Sequence, residues 1–507
     1  MRSTQVDFSD VQGLVRFGFG PLKGAVYLLL RVKNAEAARS WLRSAAITNA
    51  VKVSPAPSTA MQVAFTAPGL RALGVPDSVV ESFSHEFVTG MTEPSRSRRL
   101  GDVGNNEPHK WRWGAGSSEA EEKETMPHVL VMFFAQPESL ESFVQSSTGS
   151  GWNEAFVEVQ RLETSNLDGI EPFGFADGIS QPEIDWSQER DVRAAQIDYS
   201  NRVALGEFLL GYRNEYGKYT DRPLVDADAS SAGLLAAEDS PDKKDAGRNG
   251  TYLVLRDLRQ DVGGFWQFVN EQAGGDAAKA EKLAEAMVGR RKDGYPLVPI
   301  QQKAIPGVGT ERSESRRKED IAKNQFTFDG DPAGTRCPFG AHVRRANPRN
   351  TDFPGRPAGL LAKLITMLGF GPKGFRDDLM SSVRFHRILR RGREYGPGLS
   401  ADDQERGLRF VCLNANILRQ FEFLQNAWIA STKFSGLTGE SDPLLGDREP
   451  IPGCPVTSDF NMPQGGGLRR RVSGLPQFVT VQGGAYFFLP SLRALRYFAS
   501  EKMMVES

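Results

Sequence analysis

The sequence predicts an α+β fold: two ferredoxin-like domains, duplicated, each an antiparallel sheet covered by helices, with large loop insertions. Two observations carry this prediction. Short apolar runs rich in strand formers are followed by segments of helical periodicity, and this strand–helix order occurs four times. The four units fall in two pairs, one in each half of a 507-residue chain, long enough for two domains or one duplicated unit. The division this suggests is 1–200 and 201–507, with insertions at about 226–249 and 276–325.

In chain order, Gly24 to Val32 is apolar and reads as a buried strand. Ala35 to Ala46 follows with Ala38, Trp41, Leu42 and Ala45 on one helical face. Met61 to Thr66 looks like a further strand before a short helix from Gly69, a unit set aside from the four. Val129 to Ala135 leads into a helix from Pro137. Thr251 to Leu258 leads into Gly263 to Gln272, and Leu408 to Leu413 into Ile417 to Ile429. Three polar stretches, Gly101 to Thr125 (with Trp111 and Trp113), Asp226 to Asn249 and Gln301 to Gln325, read as solvated excursions. Asp276 to Arg291 reads as a charged amphipathic helix outside the core, with Asp276 as its N-cap.

The totals exclude several classes. Lysine plus arginine number 62 against 63 acidic residues, which gives no electrostatic case for nucleic acid or an anionic membrane. Apolar residues at 39% and charged residues at 25% describe an ordinary soluble protein. The 52 glycines and 30 prolines predict many loops. Cys337, Cys412 and Cys454 offer neither a disulfide framework nor paired zinc spacing. The N-terminus lacks an apolar signal core and no run of 18 apolar residues occurs, so a cytoplasmic protein is expected.

Four stretches carry candidate chemistry. His342, one of five histidines, sits between Pro338-Phe339-Gly340 and Asn347-Pro348, with Arg344, Arg345 and Arg349 close by. Breakers at both ends fix the backbone path, and the arginines suit an anionic ligand beside the imidazole, which haem would be. A surface histidine in a basic loop fits the same residues. Asp177, in Gly174-Phe175-Ala176-Asp177-Gly178, reads either as a turn aspartate or as a base where the glycine backbone approaches a flat ligand. Arg384 to Gly396 reads as an extended strand with arginines on both faces. It is either a basic edge strand or one that turns a guanidinium into a cavity. Glu422 lies within an apolar helical arc and is either exposed or half-buried with a partner, such as the second nitrogen of a metal-bound histidine.

Together these stretches resemble the dye-decolorizing peroxidases, a haem peroxidase family with two ferredoxin-like domains. The match runs through Gly174 to Pro182, Gly340 to Arg349, Ile388 to Gly392 with Tyr395-Gly396, Gln420 to Phe423, and Gly483 to Pro490. Near the start, Asp10 to Gly13 and Phe65 to Leu70 also look like the family. Length and insertions look like its longer-chain branch.

The resemblance implies haem b, with His342 as proximal iron ligand, Asp177 as distal acid–base and Arg390 as distal guanidinium. It further implies Glu422 as acceptor for the other nitrogen of His342, Arg345 and Arg349 as candidates for the propionates, and Gly178 beside the cofactor. His386 is left open as a competing ligand or a packing residue. The implied reaction reduces hydrogen peroxide and oxidises dyes, phenolics or other organic reductants in one-electron steps via a ferryl porphyrin radical. Bulky reductants would pass electrons through an aromatic residue, with Trp111, Trp113, Trp266, Trp428, Tyr395 and Tyr486 as candidates. A homo-oligomer is compatible with the sequence. The rival readings are a haem-releasing or haem-storing protein of the same fold, and a non-haem α+β protein in which these motifs are structural.

Overall fold

The computed structural model describes residues 5–189, 199–301, 305, 318–350, 383–397, 404–450 and 454–500. Nine strands form its main sheet: β1 (Gly24–Val32), β2 (Ala60–Phe65), β3 (Val129–Ala135), β4 (Phe156–Glu163), β5 (Thr251–Gln260), β6 (Leu389–Arg390), β7 (Arg393–Tyr395), β8 (Gly407–Asn414) and β9 (Val479–Leu489). Their order is β6-β8-β5-β9-β2-β3-β1-β4, with β7 also on β8. All these pairings are antiparallel.

The two expected antiparallel sheets, β4-β1-β3-β2 and β9-β5-β8 with β6 and β7, are both present and join edge to edge into one continuous sheet. Its N-terminal and C-terminal parts meet at β2 and β9, in register at Phe65 and Phe488. The unit at Met61, set aside in the sequence, supplies the strand at that seam. Both faces of the sheet are covered, which explains why its strands read as continuous apolar runs rather than alternating ones. Val26, Leu28, Leu30, Val131 and Phe133 face one core, and Ala25, Tyr27, Leu29, Met132 and Phe134 face another.

Helices pack on the first face: α1 (Ala35–Ser44), α2 (Pro137–Thr148), α3 (Val262–Gln272) and α4 (Ala277–Val288). Asn34 caps α1 by accepting from Ala37 N at 3.0 Å, and Asp261 caps α3 by accepting from Gly264 N at 2.9 Å. The second face is closed by irregular chain, through Val11, Leu14 and Phe19 on one side and Leu205, Phe208 and Leu209 on the other.

Several loop and helix expectations are overturned. Asp276 does cap α4, accepting from Ala278 N and Lys279 N at 3.1 Å. The helix is not outside the core, however: Ala280, Leu283, Ala284 and Met287 are buried. Small or apolar residues recurring at helical spacing along one side outweigh the charges on the other. The first part of Gly101 to Thr125 is docked rather than solvated, with Trp113 fully buried against β9, while the helix Glu119–Thr125 is solvated as expected. A side chain at Gly483 would lie 2.4 Å from the Trp113 ring, so only glycine fits there.

Asp226 to Asn249 is anchored by the strand pair Leu224–Asp226 and Lys243–Asp245, and by the buried Arg222–Asp245 ion pair at 2.6 Å. Most of Gln301 to Gln325 lies outside the described residues. The expected long strand from Arg384 is a short helical turn at Val383–Phe385, then β6 and β7. Gly392 breaks the strand where a side chain would meet Arg409 O at 2.4 Å. No helix among the described residues is long and apolar enough to cross a membrane.

Candidate active site

A cavity of about 260 Å3 lies between the first sheet face and the segments around residues 173–182, 342–347 and 421–429. Its walls are mostly aliphatic and aromatic, with Phe173, Leu258, Phe410, Phe421 and Leu424 among them. His342, Asp177 and Arg390, far apart in sequence, all reach it.

His342 opens a five-residue helix, α5 (His342–Ala346), which follows a turn closed by Ala341 N to Pro338 O at 3.0 Å. Its Nδ1 bonds Asp442 Oδ2 at 2.9 Å. Asp442 is fully buried and held in place by the Leu444 and Leu445 amides, both 2.9 Å from Oδ1. Burial alone would push the imidazole down, but the charge and hydrogen bond of Asp442 hold His342 above the ordinary histidine range. Burial would likewise raise Asp442, and the same pairing keeps it below the ordinary carboxylate range. An ionised Asp442 accepts the Nδ1 proton and leaves Nε2 as the nitrogen available to a ligand in the cavity.

The expected acceptor, Glu422, does not meet His342. Its helix has wide, π-type turns over Leu418–Glu422 and Leu424–Ala430, and Phe421, Leu424 and Gln425 take the cavity side. Glu422 turns toward the sheet instead, where it pairs with Arg96 at 2.7 Å and accepts from Tyr486 Oη at 2.9 Å. Asp442 carries no such signal in the sequence, where Ser441-Asp442-Pro443 has the composition of a turn.

Asp177 bonds Arg390 Nη1 at 2.9 Å. Burial alone would raise its carboxyl, but the Arg390 charge and a bond from the Gly178 amide more than offset this and hold it below the ordinary carboxylate range. The turn around it is closed by a different carboxylate. Glu171 accepts from Phe173 N and Phe175 N, both at 3.0 Å, and burial pushes Glu171 up to about 7. Asp177 is thereby released from the turn role that its Asp-Gly setting suggests. About a third of the Asp177 side chain stays accessible (34%), and it lines two cavities. Gly178 lines the smaller of these and adopts φ +74°, so glycine serves the backbone there.

Arg345 and Arg349 do not reach the large cavity. Arg345 donates to the carbonyls of Trp428, Ser431 and Glu440. Arg349 donates to Asn324 and Phe326, touching the cavity wall only through Ser180 at 3.4 Å. Arg256, Arg290, Arg387 and Arg390 line the cavity instead, and of these Arg290 lies just beyond the end of α4. Its Nη1 donates to Gly294 O and Lys323 O, while its buried Nη2 has no hydrogen-bond partner among the described residues. Burial and the neighbouring Arg349 and Arg390 charges push Arg290 down to about 9. His386 also lines the cavity, but its ring stacks on Phe423 at 3.6 Å and its Nδ1 meets the Arg419 carbonyl. The ring is held by this packing and by an edge contact with Trp428.

Of the six aromatic relay candidates, five are buried. Trp266 is half-exposed, stacks parallel to Phe175 at 6.4 Å, and donates Nε1 to Phe173 O at 3.1 Å. Both phenylalanines line the cavity.

The chain is similar in structure to solved dye-decolorizing peroxidases. The chain superposes on a fungal DyP-type peroxidase from Auricularia auricula-judae with a TM-score of 0.69 at 24% identity, covering 98% of this chain and all of that one. A dye-decolorizing peroxidase in complex with 2,6-dimethoxyphenol matches at TM-score 0.67 and 23% identity, with the same coverage. The fold is therefore that of the DyP-type haem peroxidases.

Sequence comparison agrees. The dye-decolorizing peroxidase msp1 of Mycetinis scorodonius is 26% identical over 97% of this chain and 88% of its own length. The multifunctional dye peroxidase DyP2 of an Amycolatopsis species is 28% identical over 66% of this chain and 62% of its own. No family model matches. The chain is a relative of the dye-decolorizing peroxidases over nearly its whole length.

Proposed function

We propose that the protein is a haem b peroxidase that reduces hydrogen peroxide and oxidises dyes, phenolics or other organic reductants by one-electron steps. The observation that carries this reading is a single apolar cavity lined by an Asp442-oriented imidazole and by an ion-paired Asp177 and Arg390. The residues fit haem. Apolar walls suit a porphyrin, His342 Nε2 suits its iron, and the unsatisfied Nη2 of buried Arg290 suits a propionate. Among the described residues no three or more His, Cys, Asp or Glu cluster to hold a bare metal ion. One imidazole suits a metal that brings its other ligands with it.

Haem, when bound, supplies the electrons for O–O cleavage and stores the oxidising equivalents. The rest falls to the protein. Asp177, held ionised by Arg390, accepts a proton from one peroxide oxygen and returns it to the other, which leaves as water. Arg390 stabilises charge on the departing oxygen, a contribution of about 3–4 kcal/mol. Asp442 keeps His342 oriented and electron-rich. Reductants too bulky for the cavity pass electrons through Trp266, so W266F should lose activity on a bulky dye and keep it on a small phenol.

The test is rapid mixing of the haem-loaded protein with peroxide. D177N should keep the haem absorption band and react about 100-fold more slowly or worse. A haem-storing or haem-releasing protein would bleach slowly, with no dependence on Asp177 or Arg390.

A further inference from the structure

Asp177 and Arg390 stand between two spaces. On one side is the large cavity. On the other is a second cavity of about 140 Å3, lined also by Gly169, Gln181, Gly392, Arg393, Glu394 and Arg409, which has room for several water molecules. Gly169 and Gly392 are exposed and Glu394 half-buried, so this second space runs from the surface to Asp177.

Glu394, on β7, is the other carboxylate in it. The guanidiniums beside it are committed elsewhere: Arg393 donates to Lys23 O and Phe19 O, Arg409 pairs with Asp257, and Arg390 holds Asp177. Among the described residues no ion pair holds the Glu394 carboxyl.

We propose that Glu394 is a proton-transfer residue that connects Asp177 to solvent through this second cavity. The role rests on the peroxidase reading. Overall, H2O2 + 2 e− + 2 H+ gives 2 H2O, with one electron from each of two reductant molecules. Asp177 only moves a proton from one peroxide oxygen to the other, so the two further protons must come from outside. A protonated Glu394 gives its proton to the Asp177 carboxylate, which passes it to the remaining oxygen, and Glu394 is reprotonated from water in the cavity.

The two carboxyls are tuned for such a transfer. Burial and the Asp177 charge raise Glu394, against smaller opposing effects of Arg393 and Lys23, while Asp177 is held low by Arg390. Buried Tyr27, pushed up to about 12, senses the same Glu394 charge and stays protonated.

The experiment compares haem-loaded wild type, E394Q and E394D. In E394Q the reaction with one equivalent of peroxide should keep its wild-type rate. Steady-state turnover should fall about 100-fold and be restored by millimolar formate, a small acid able to enter the cavity. E394D should be intermediate. Independently of activity, infrared titration should find a protonated carboxyl band that E394Q lacks, with a midpoint that falls in D177N. Unchanged turnover in E394Q, a defect that formate does not rescue, or a midpoint indifferent to D177N would each overturn the role. A wild type inert to peroxide would overturn the peroxidase reading and this role with it, whereas an active wild type with an indifferent E394Q overturns the role alone.

Discussion

Asp442 and Glu422 make opposite demands on experiment, although only Glu422 was expected on sequence grounds to orient His342. D442N removes the acceptor of the Nδ1 proton and should weaken haem retention or activity about 10–100-fold, read from the absorption band during dialysis. E422Q should leave haem retention unchanged. It leaves the Arg96 charge unpaired in the interior, so it should cost about 3–5 kcal/mol in denaturant unfolding. Asp177 sets the acid limit of the reaction. Its carboxyl is held below the ordinary range, so it is ionised above that depressed value and its function is lost only as pH falls through it. The rate with peroxide should therefore be flat from pH 7 to pH 5, where a histidine base would already be protonated. R390L removes the charge that offsets burial and should move the acid limb upward. At this scale the local sequence singled out the stretches that hold His342, Asp177 and Arg390 but left a structural reading open for each, and their roles came from the family resemblance. Asp442 and Arg290 were hidden. The first looks like any turn aspartate, and the second follows a helix whose charges masked its buried face.

The elements show the same division. Runs such as Gly24–Val32 and Val129–Ala135 were legible because strands buried on both faces are apolar throughout. The docking of the first part of Gly101 to Thr125 was not, since polar and glycine-rich composition says nothing of two tryptophans seated on β9. The seat itself is testable. G483A would place a methyl group 2.4 Å from the Trp113 ring, and overpacking of this kind should cost about 1–3 kcal/mol, seen as a lowered midpoint in thermal or denaturant unfolding. The strand from Arg384 was misjudged because alternation alone does not reveal a backbone break. Gly392 supplies one, splitting the edge into β6 and β7 and opening the second cavity.

For the whole molecule, the joining of the two sheets edge to edge into one means that residues from both ends of the chain share a single framework around the cavity. His128, next to β3, accepts from Val32 N at 3.1 Å, and burial pushes it down to about 4. A histidine so depressed binds its proton more readily when unfolded. Stability is full above about pH 6.5 and should fall by about 3 kcal/mol as pH drops from there to 4, a loss that H128Q should largely remove. That sheet brings His342, Asp177 and Arg390, spread over more than two hundred residues of sequence, to one apolar space. The absorption spectrum of purified H342A, reconstituted with haem and compared with wild type before and after one equivalent of peroxide, tests that convergence most directly. Wild type should show a haem band that changes at once with peroxide, and H342A should lose both the band and the response. An H342A protein that held haem and reacted with peroxide like wild type would contradict the assignment of His342 as the iron ligand.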